Sequence, residues 1–286
     1  MFISQLFAQN DLTVSFEVFP PKASTAFDSV QAAVQKLSAL APHYISVTYG
    51  AGGGTSRNTC AIAQYVQNEL NTTALAHLSC VSSTRAEVYE RLTELRAAGI
   101  ENVLALRGDI PAGSLGTPTD YRYAAELVED IAAFGGFCTG AACYPEGHPE
   151  SASHRVDLQH LREKVDSGVQ FLCTQMFFDN NVLYRFLYKA LALGIDVPVT
   201  AGIMPITSSG QVARMIALSG ASLPPDLVSL LDKFGDKPEA LYQAGVQYAI
   251  GQILDLVVNG VRGVHIYTMN KPDVAQTIME SLSEIL

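Results

Sequence analysis

A few residues in this chain have the side chains that acid–base and electrostatic chemistry needs. Residues 102–111 read NVLALRGDIP, an apolar run that ends in charge. Val103, Ala105, Arg107 and Asp109 share one parity, Leu104 and Leu106 the other. In a strand, Arg107 and Asp109 therefore point the same way as two small apolar residues. A strand apolar on both faces suits a parallel sheet covered on both sides, and charges at its carboxyl edge stand where α/β folds bind ligands. The competing reading is an ion pair that caps the next helix. Glu17 lies in SFEVF, among Phe16, Val18 and Phe19. A carboxylate there is costly to bury ionised, which suits general-acid work. Its alternative is a buried salt bridge to Arg107 or Lys22. His77, taken alone, reads as a core histidine with both nitrogens satisfied. Gln175 can donate and accept, which suits the mixed edge of a heterocycle, or it caps a sheet end.

Other chemistries are disfavoured. No lysine falls within a predicted strand, against a Schiff-base aldolase. His148, His154 and His160 are six apart, which does not put them on one helix face, and neither HxH nor HExxH occurs, so no metal site is expected. Residues 50–54, GAGGG, are followed by Thr55 and Ser56 without the Walker lysine and do not form GxGxxG. They read as a flexible loop or a backbone surface for a flat ligand.

The elements that must position these groups follow a regular rhythm. Strands are predicted at 13–19, 44–49, 74–80, 102–111 (its charged end included), 139–144, 171–178, 197–203 and 264–268. Helices are predicted at 26–40, 59–70, 84–99, 121–134, 152–167 and 181–193, then two or three within 209–259, and a last one at 273–286. Thr84 with Glu87 makes a capping box, and Gly99 is a stop. Eight strands alternating with helices predict an α/β fold, a (β/α)8 TIM barrel with extra helices between strands seven and eight. A doubly wound sheet is the alternative. No linker divides the chain, so 1–286 reads as one domain. In a barrel the inward polar residues at the strand ends are Glu17, Thr48, His77, Arg107 with Asp109, Tyr144, Gln175 and Tyr267, with only backbone from strand seven. Polar groups from seven strands predict a shared active site.

Composition bounds the partners. With 286 residues, 48% of them hydrophobic, the chain can bury a large core. A net charge of -10 with no Lys/Arg run disfavours nucleic acid and anionic membrane surfaces. No apolar run reaches the roughly 20 residues that span a bilayer, and residues 1–10 lack the features of a signal peptide. The five cysteines, 60, 80, 138, 143 and 173, form no CxxC and read as free thiols in a reducing cytosol. The expectation is a soluble cytoplasmic protein.

Nine pieces in order resemble the methylenetetrahydrofolate reductase family: SFEVFPPK, ISVTYGAGGG, AHLSC, ALRGD, YPEGHPE, LREKVDSG, TQMFFD, AGIMP and HIYTMNK. The resemblance implies a barrel with noncovalent FAD and no Rossmann domain. NADH or NADPH would reduce the flavin and leave; 5,10-methylenetetrahydrofolate would then take the same face and be reduced to 5-methyltetrahydrofolate. By the same resemblance Glu17 would protonate folate N10, Asp109 would favour the 5-iminium cation, and Gln175, Tyr267 and Lys271 would meet substrate. For FAD it implies Thr48, Tyr49, Ala51, His77, Arg107, Gly108 and Asp109. It adds Ala124, Tyr144, His148, and Asp157, His160 and Lys164 at 3–4 spacing on one helix. Tyr123 would stand beside the adenosine, with Tyr121 as its rival. A homo-oligomer is implied, without the adenosylmethionine-binding regulatory domain of eukaryotic relatives.

This chain departs from the family in two places. The loop after strand seven, PITSSGQ, offers no aromatic ring, and Lys271 stands where arginine is common, without its bidentate fork. The missing ring motivates an alternative, a partner-dependent subunit of a one-carbon complex that receives electrons from another protein. A barrel lyase or pterin methyltransferase without flavin is a third reading.

Overall fold

The structure is a computed structural model that describes residues 1–21, 27–49, 56–81, 83–108 and 120–286. Its eight strands are β1 (Thr13–Val18), β2 (Tyr44–Val47), β3 (Thr73–Ser79), β4 (Asn102–Leu106), β5 (Cys138–Cys143), β6 (Phe171–Thr174), β7 (Val199–Ile203) and β8 (Gly263–Tyr267). They pair in sequence order, all parallel, and β8 returns to β1, so the sheet is a closed (β/α)8 barrel. The helices are α1 (Ile3–Gln9), α2 (Phe27–Ser38), α3 (Ser56–Gln64), α4 (Arg85–Ala97), α5 (Ala124–Phe134), α6 (His154–Asp166) and α7 (Asn180–Ala192). α8 (Ser209–Ser219), α9 (Pro225–Phe234) and α10 (Pro238–Val258) form the expected insertion, and α11 (Pro272–Ser281) follows β8. Among the described residues, no helix is long and apolar enough to cross a membrane.

Alternation sorts each strand into two apolar layers. Val14, Phe16, Val18, Ile45, Val47, Val103 and Ala105 pack outward in the large core shared with the helices. Tyr44, Leu75, Leu104, Cys138, Phe171 and Cys173 fill the interior. Gly140 is what admits Phe171, because a Cβ there would lie 2.3 Å from the ring.

Two local readings are corrected by this sorting. The parity of Val103 and Ala105 faces the helices, so Arg107 does not continue an inward row; Leu104 and Leu106 hold the inward side. β6 stops at Thr174, short of 178. Beyond it Met176 and Phe178 pack with Met204, Ile206, Leu227 and Leu241 in a cluster beneath the inserted helices.

The opening segment, read only as lacking a leader signature, is helix α1. Its Ile3, Leu6 and Phe7 close the amino end of the barrel against Tyr44 and Phe171. The fully buried Asn102 fixes it: its Oδ1 accepts from Ile3 N at 2.8 Å, and its Nδ2 donates to the carbonyls of Met1 and Ala74. Arg262 donates to the carbonyls of Phe7 and Asn10 from the other side. Removing the Phe7 ring leaves a cavity that this stopper cannot collapse. Phe7→Ala should lower the unfolding free energy by about 3 kcal/mol, read from the urea midpoint at unchanged slope.

Candidate active site

Glu17 stands one residue before the end of β1, on the inward side and 7% exposed. Closure of the barrel brings β2, β3 and β8 around it, and each contributes an inward polar group. Glu17 Oε2 lies 3.6 Å from His77 Nε2 and 3.5 Å from His265 Nε2. Ser46 Oγ meets His77 Nε2 at 2.7 Å, and Ser15 Oγ meets His265 Nδ1 at 2.8 Å. The two serines make the short bonds; the carboxyl meets His265 through a long hydrogen bond and His77 at 3.6 Å. It is held more loosely than the rings.

Burial pushes His77 down to about 4, against the attraction of Glu17 and with a smaller contribution from His265. His77 is thus a neutral imidazole near neutral pH. The salt bridge to Arg107 considered for Glu17 does not form: Arg107 reaches Glu150 with two bonds of 2.6 and 2.8 Å. Lys22, the other partner considered, lies outside the described residues.

Three members of this cluster, Ser15, Ser46 and His265, were missed in the sequence. Each sits two residues before the polar residue singled out on its strand: Glu17, Thr48 and Tyr267. The signal was their shared alternation, which continues the inward row one layer deeper.

The remaining expected site residues are distributed by element. Thr48 is buried beside the end of β1, its N–H donating to the Val18 carbonyl at 3.0 Å, and half-buried Tyr49 follows it. Tyr267 donates its hydroxyl to the Thr174 carbonyl at 2.7 Å, and Gly202 leaves room for it, since a Cβ there would lie 2.7 Å from the hydroxyl oxygen. Gln175, half-buried, accepts through Oε1 from Met176 N. Lys271 Nζ donates to Thr207 Oγ1 at 2.9 Å, in the loop after β7.

A second group gathers over β4, β5 and α6. Gly108 turns the chain at φ +86°, where a Cβ would meet Ser79 Oγ. The Arg107–Glu150 pair ties the loops after β4 and β5 together. Tyr144 sets its ring edge-on to His148 at 4.6 Å, and burial lowers the basicity of His148. On α6, Asp157 accepts from Ser151 Oγ, His160 faces the Tyr123 ring at 6.3 Å, and Lys164 Nζ donates to the Ala142 carbonyl at 2.6 Å. Burial lowers the basicity of Lys164 also. Ala124 begins α5 next to Tyr123, which is 49% exposed. Tyr121 is buried with its hydroxyl on Asp130, so of the two rivals only Tyr123 presents a ring to solvent. A cleft of about 210 Å³ opens beside this group, lined by Tyr144, His154, Asp157, Arg185, Phe186 and Lys189. A carboxylate, ring surfaces, and a desolvated amine held only by a backbone carbonyl fit the ribose, rings and phosphate of an extended dinucleotide. Ala51 and Asp109 lie outside the described residues.

A parallel barrel whose carboxyl end carries a buried carboxyl–imidazole cluster has the architecture of a (β/α)8 enzyme. Comparison with known proteins narrows that class. The profile described as methylenetetrahydrofolate reductase matches residues 2–283. The 5,10-methylenetetrahydrofolate reductases of Pectobacterium carotovorum subsp. carotovorum and Escherichia coli (strain K12) are each 33% identical over 274 residues. These alignments span 96% of this chain and 91% and 92% of the relatives. Methylenetetrahydrofolate reductase (NADH) 1 of Arabidopsis thaliana is 31% identical, over 99% of this chain and 50% of its own length. Among solved structures, an uncharacterized protein from Clostridium thermocellum that binds two copies of 5-methyl-5,6,7,8-tetrahydrofolic acid superposes with TM-score 0.68. At 14% identity over the whole of both chains, it shows the shared fold. The chain belongs to the methylenetetrahydrofolate reductase family. Membership supports methylenetetrahydrofolate reduction, an oxidoreductase reaction, as the chemistry of this barrel.

The His77 shift has a consequence for stability. The unfolded chain protonates histidine near 6.5, the folded one near 4, so between those values the unfolded state binds the extra proton. The stability contributed by neutral His77 is complete above about pH 6.5 and is lost as pH falls toward about 4. His77→Gln should flatten this part of the pH–stability curve by on the order of 3 kcal/mol, read from urea midpoints across that window.

Proposed function

We propose that this chain reduces 5,10-methylenetetrahydrofolate to 5-methyltetrahydrofolate, with FAD as cofactor and NADH or NADPH as electron donor. Glu17 carries the reading: a buried carboxyl at the mouth, beside a neutral histidine, is an acid poised at the edge of a dry interior. Opening the imidazolidine ring breaks the bond between N10 and the one-carbon unit, and N10 needs a proton as that bond breaks. Glu17 gives it that proton and is left as a carboxylate among the imidazoles of His77 and His265. Ring opening leaves a 5-iminium cation, and the negative charge of Asp109 favours it. Gln175 orients the pterin edge with its amide, and the charge of Lys271 meets a folate carboxylate. When bound, FAD supplies the two-electron relay between nicotinamide and folate, which use one mouth in turn. Arg107, Tyr144, His148, Asp157, His160 and Lys164 would hold it, with Thr48, Tyr49, Gly108, Tyr123 and Ala124 at the margins.

Two experiments test this. The purified chain should show flavin absorbance that bleaches anaerobically with NADH or NADPH. A colourless protein unable to take up FAD refutes the assignment, and flavin bands that resist both donors redirect it to a partner-dependent subunit. Glu17→Gln should retain flavin bleaching while folate reduction drops by about 10² to 10⁴, followed by stopped-flow in each half-reaction. Undiminished folate reduction would remove Glu17 from its role.

A further inference from the structure

The ladder between β8 and β1 ends at Glu17 opposite Tyr267. Beyond it, side chains take over from the sheet. The buried Thr268 donates its hydroxyl to the Glu17 carbonyl at 2.7 Å. Asn270 then holds Phe19 at both of its backbone groups: Oδ1 accepts from Phe19 N at 2.8 Å, and Nδ2 donates to the Phe19 carbonyl at 2.9 Å. Lys271 closes the turn, its N–H donating to the Thr268 carbonyl, while its Nζ reaches Thr207 in the loop after β7. The backbone on both sides of Val18 is thus gripped from one short segment.

That segment adopts a conformation that L-residues avoid. Met269 and Asn270 have φ of +53° and +56°, two consecutive non-glycine residues in the left-handed region. A turn that only had to reverse the chain would be served by glycine at both positions. Asparagine at 270 tolerates the region and also brings the amide that matches one N–H and one carbonyl of the same residue. Strain kept beside a candidate catalytic group, and stabilised by bonds to the strand that bears it, is the pattern of a preorganised site.

We propose that Thr268 and Asn270 are positioning residues for Glu17. Their bonds fix the end of β1 and so the angle at which the carboxyl meets the substrate nitrogen. The inference rests on the acid role of Glu17 given above. Asn270→Gly keeps or eases the left-handed backbone and removes only the side-chain bonds. Thr268→Val removes the hydroxyl at nearly constant shape, and Thr268→Ser restores it.

Three readouts separate positioning from simple support: kcat of folate reduction relative to flavin reduction by NAD(P)H, KM for the folate, and hydrogen exchange at the Phe19 amide. Asn270→Gly should speed exchange at Phe19. It and Thr268→Val should each lower the ratio of the two rates by about 10- to 100-fold, mainly in kcat, and Thr268→Ser should recover most of it. Should Asn270→Gly fail to fold, the Thr268 pair carries the test. Half-reactions that fall together, or a ratio that does not move while Phe19 exchange rises, would make the clasp merely structural and overturn the proposal. Glu17→Gln run alongside distinguishes the other failure: if it leaves folate reduction intact, the acid reading falls and takes the positioning role with it.

Discussion

Closure of the sheet is the constraint on which the site depends. Once β8 pairs with β1, every strand must send alternate side chains into one narrow interior, and their volumes must fit around the ring. Large residues there are matched by neighbours with almost no side chain. Phe171 sits where Gly140 has no Cβ, and Tyr267 where Gly202 has none. The same logic admits a carboxyl and two imidazoles near the carboxyl end, because Ser15 and Ser46 are small and can bond to the rings. Below them Tyr44, Leu75, Leu104 and Phe171, sealed by α1, make the floor apolar. An interior sealed by α1 at its amino end is what leaves Glu17 desolvated near the carboxyl end.

The mouth has two ends with different electrostatics. Around β1, β3 and β8, Glu17 faces two histidines, and burial keeps His77 neutral beside it. Around β4, β5 and α6, Arg107 is paired with Glu150, and the half-buried Lys164 donates to the Ala142 carbonyl. A lysine whose amine is desolvated in this way gains by meeting a phosphate, because the anion returns the interaction that burial removed. Separating the acid from these cations keeps Glu17 from being consumed by a salt bridge.

The barrel was legible in the sequence because its signal is local and repeated eight times. The strands have β-branched or aromatic runs of their own, and helix-end signals lie close by in sequence, as the Thr84–Glu87 capping box and Gly99 illustrate around α4. Glu17 was legible for the same reason, since a carboxylate inside SFEVF conflicts with its surroundings without reference to any other strand. Of its neighbours only His77 was singled out, because the pairing of β1 with β2 and β8 and of β2 with β3 is a tertiary fact. On β1, β2 and β8 the reading took a single polar residue toward the carboxyl end, and so missed Ser15, Ser46 and His265. Arg107 was misread for a related reason: with apolar residues on both parities of 103–106, periodicity does not say which side is inward. The packing settles it: Val103 and Ala105 lie in the core shared with the helices, and Leu104 lies with α1 inside the barrel.

Stability and function are drawn from opposite ends of the barrel. The amino end contributes apolar packing, with Ile3, Leu6 and Phe7 inserted as a stopper and Asn102 saturated by backbone groups. The carboxyl end holds the features that oppose folding: a buried carboxyl, a histidine kept neutral, a desolvated lysine, and two left-handed non-glycine residues. None of these would persist in a free loop, where the chain would relax and water would enter. They persist because the closed sheet beneath them is rigid and its register fixes where each strand ends.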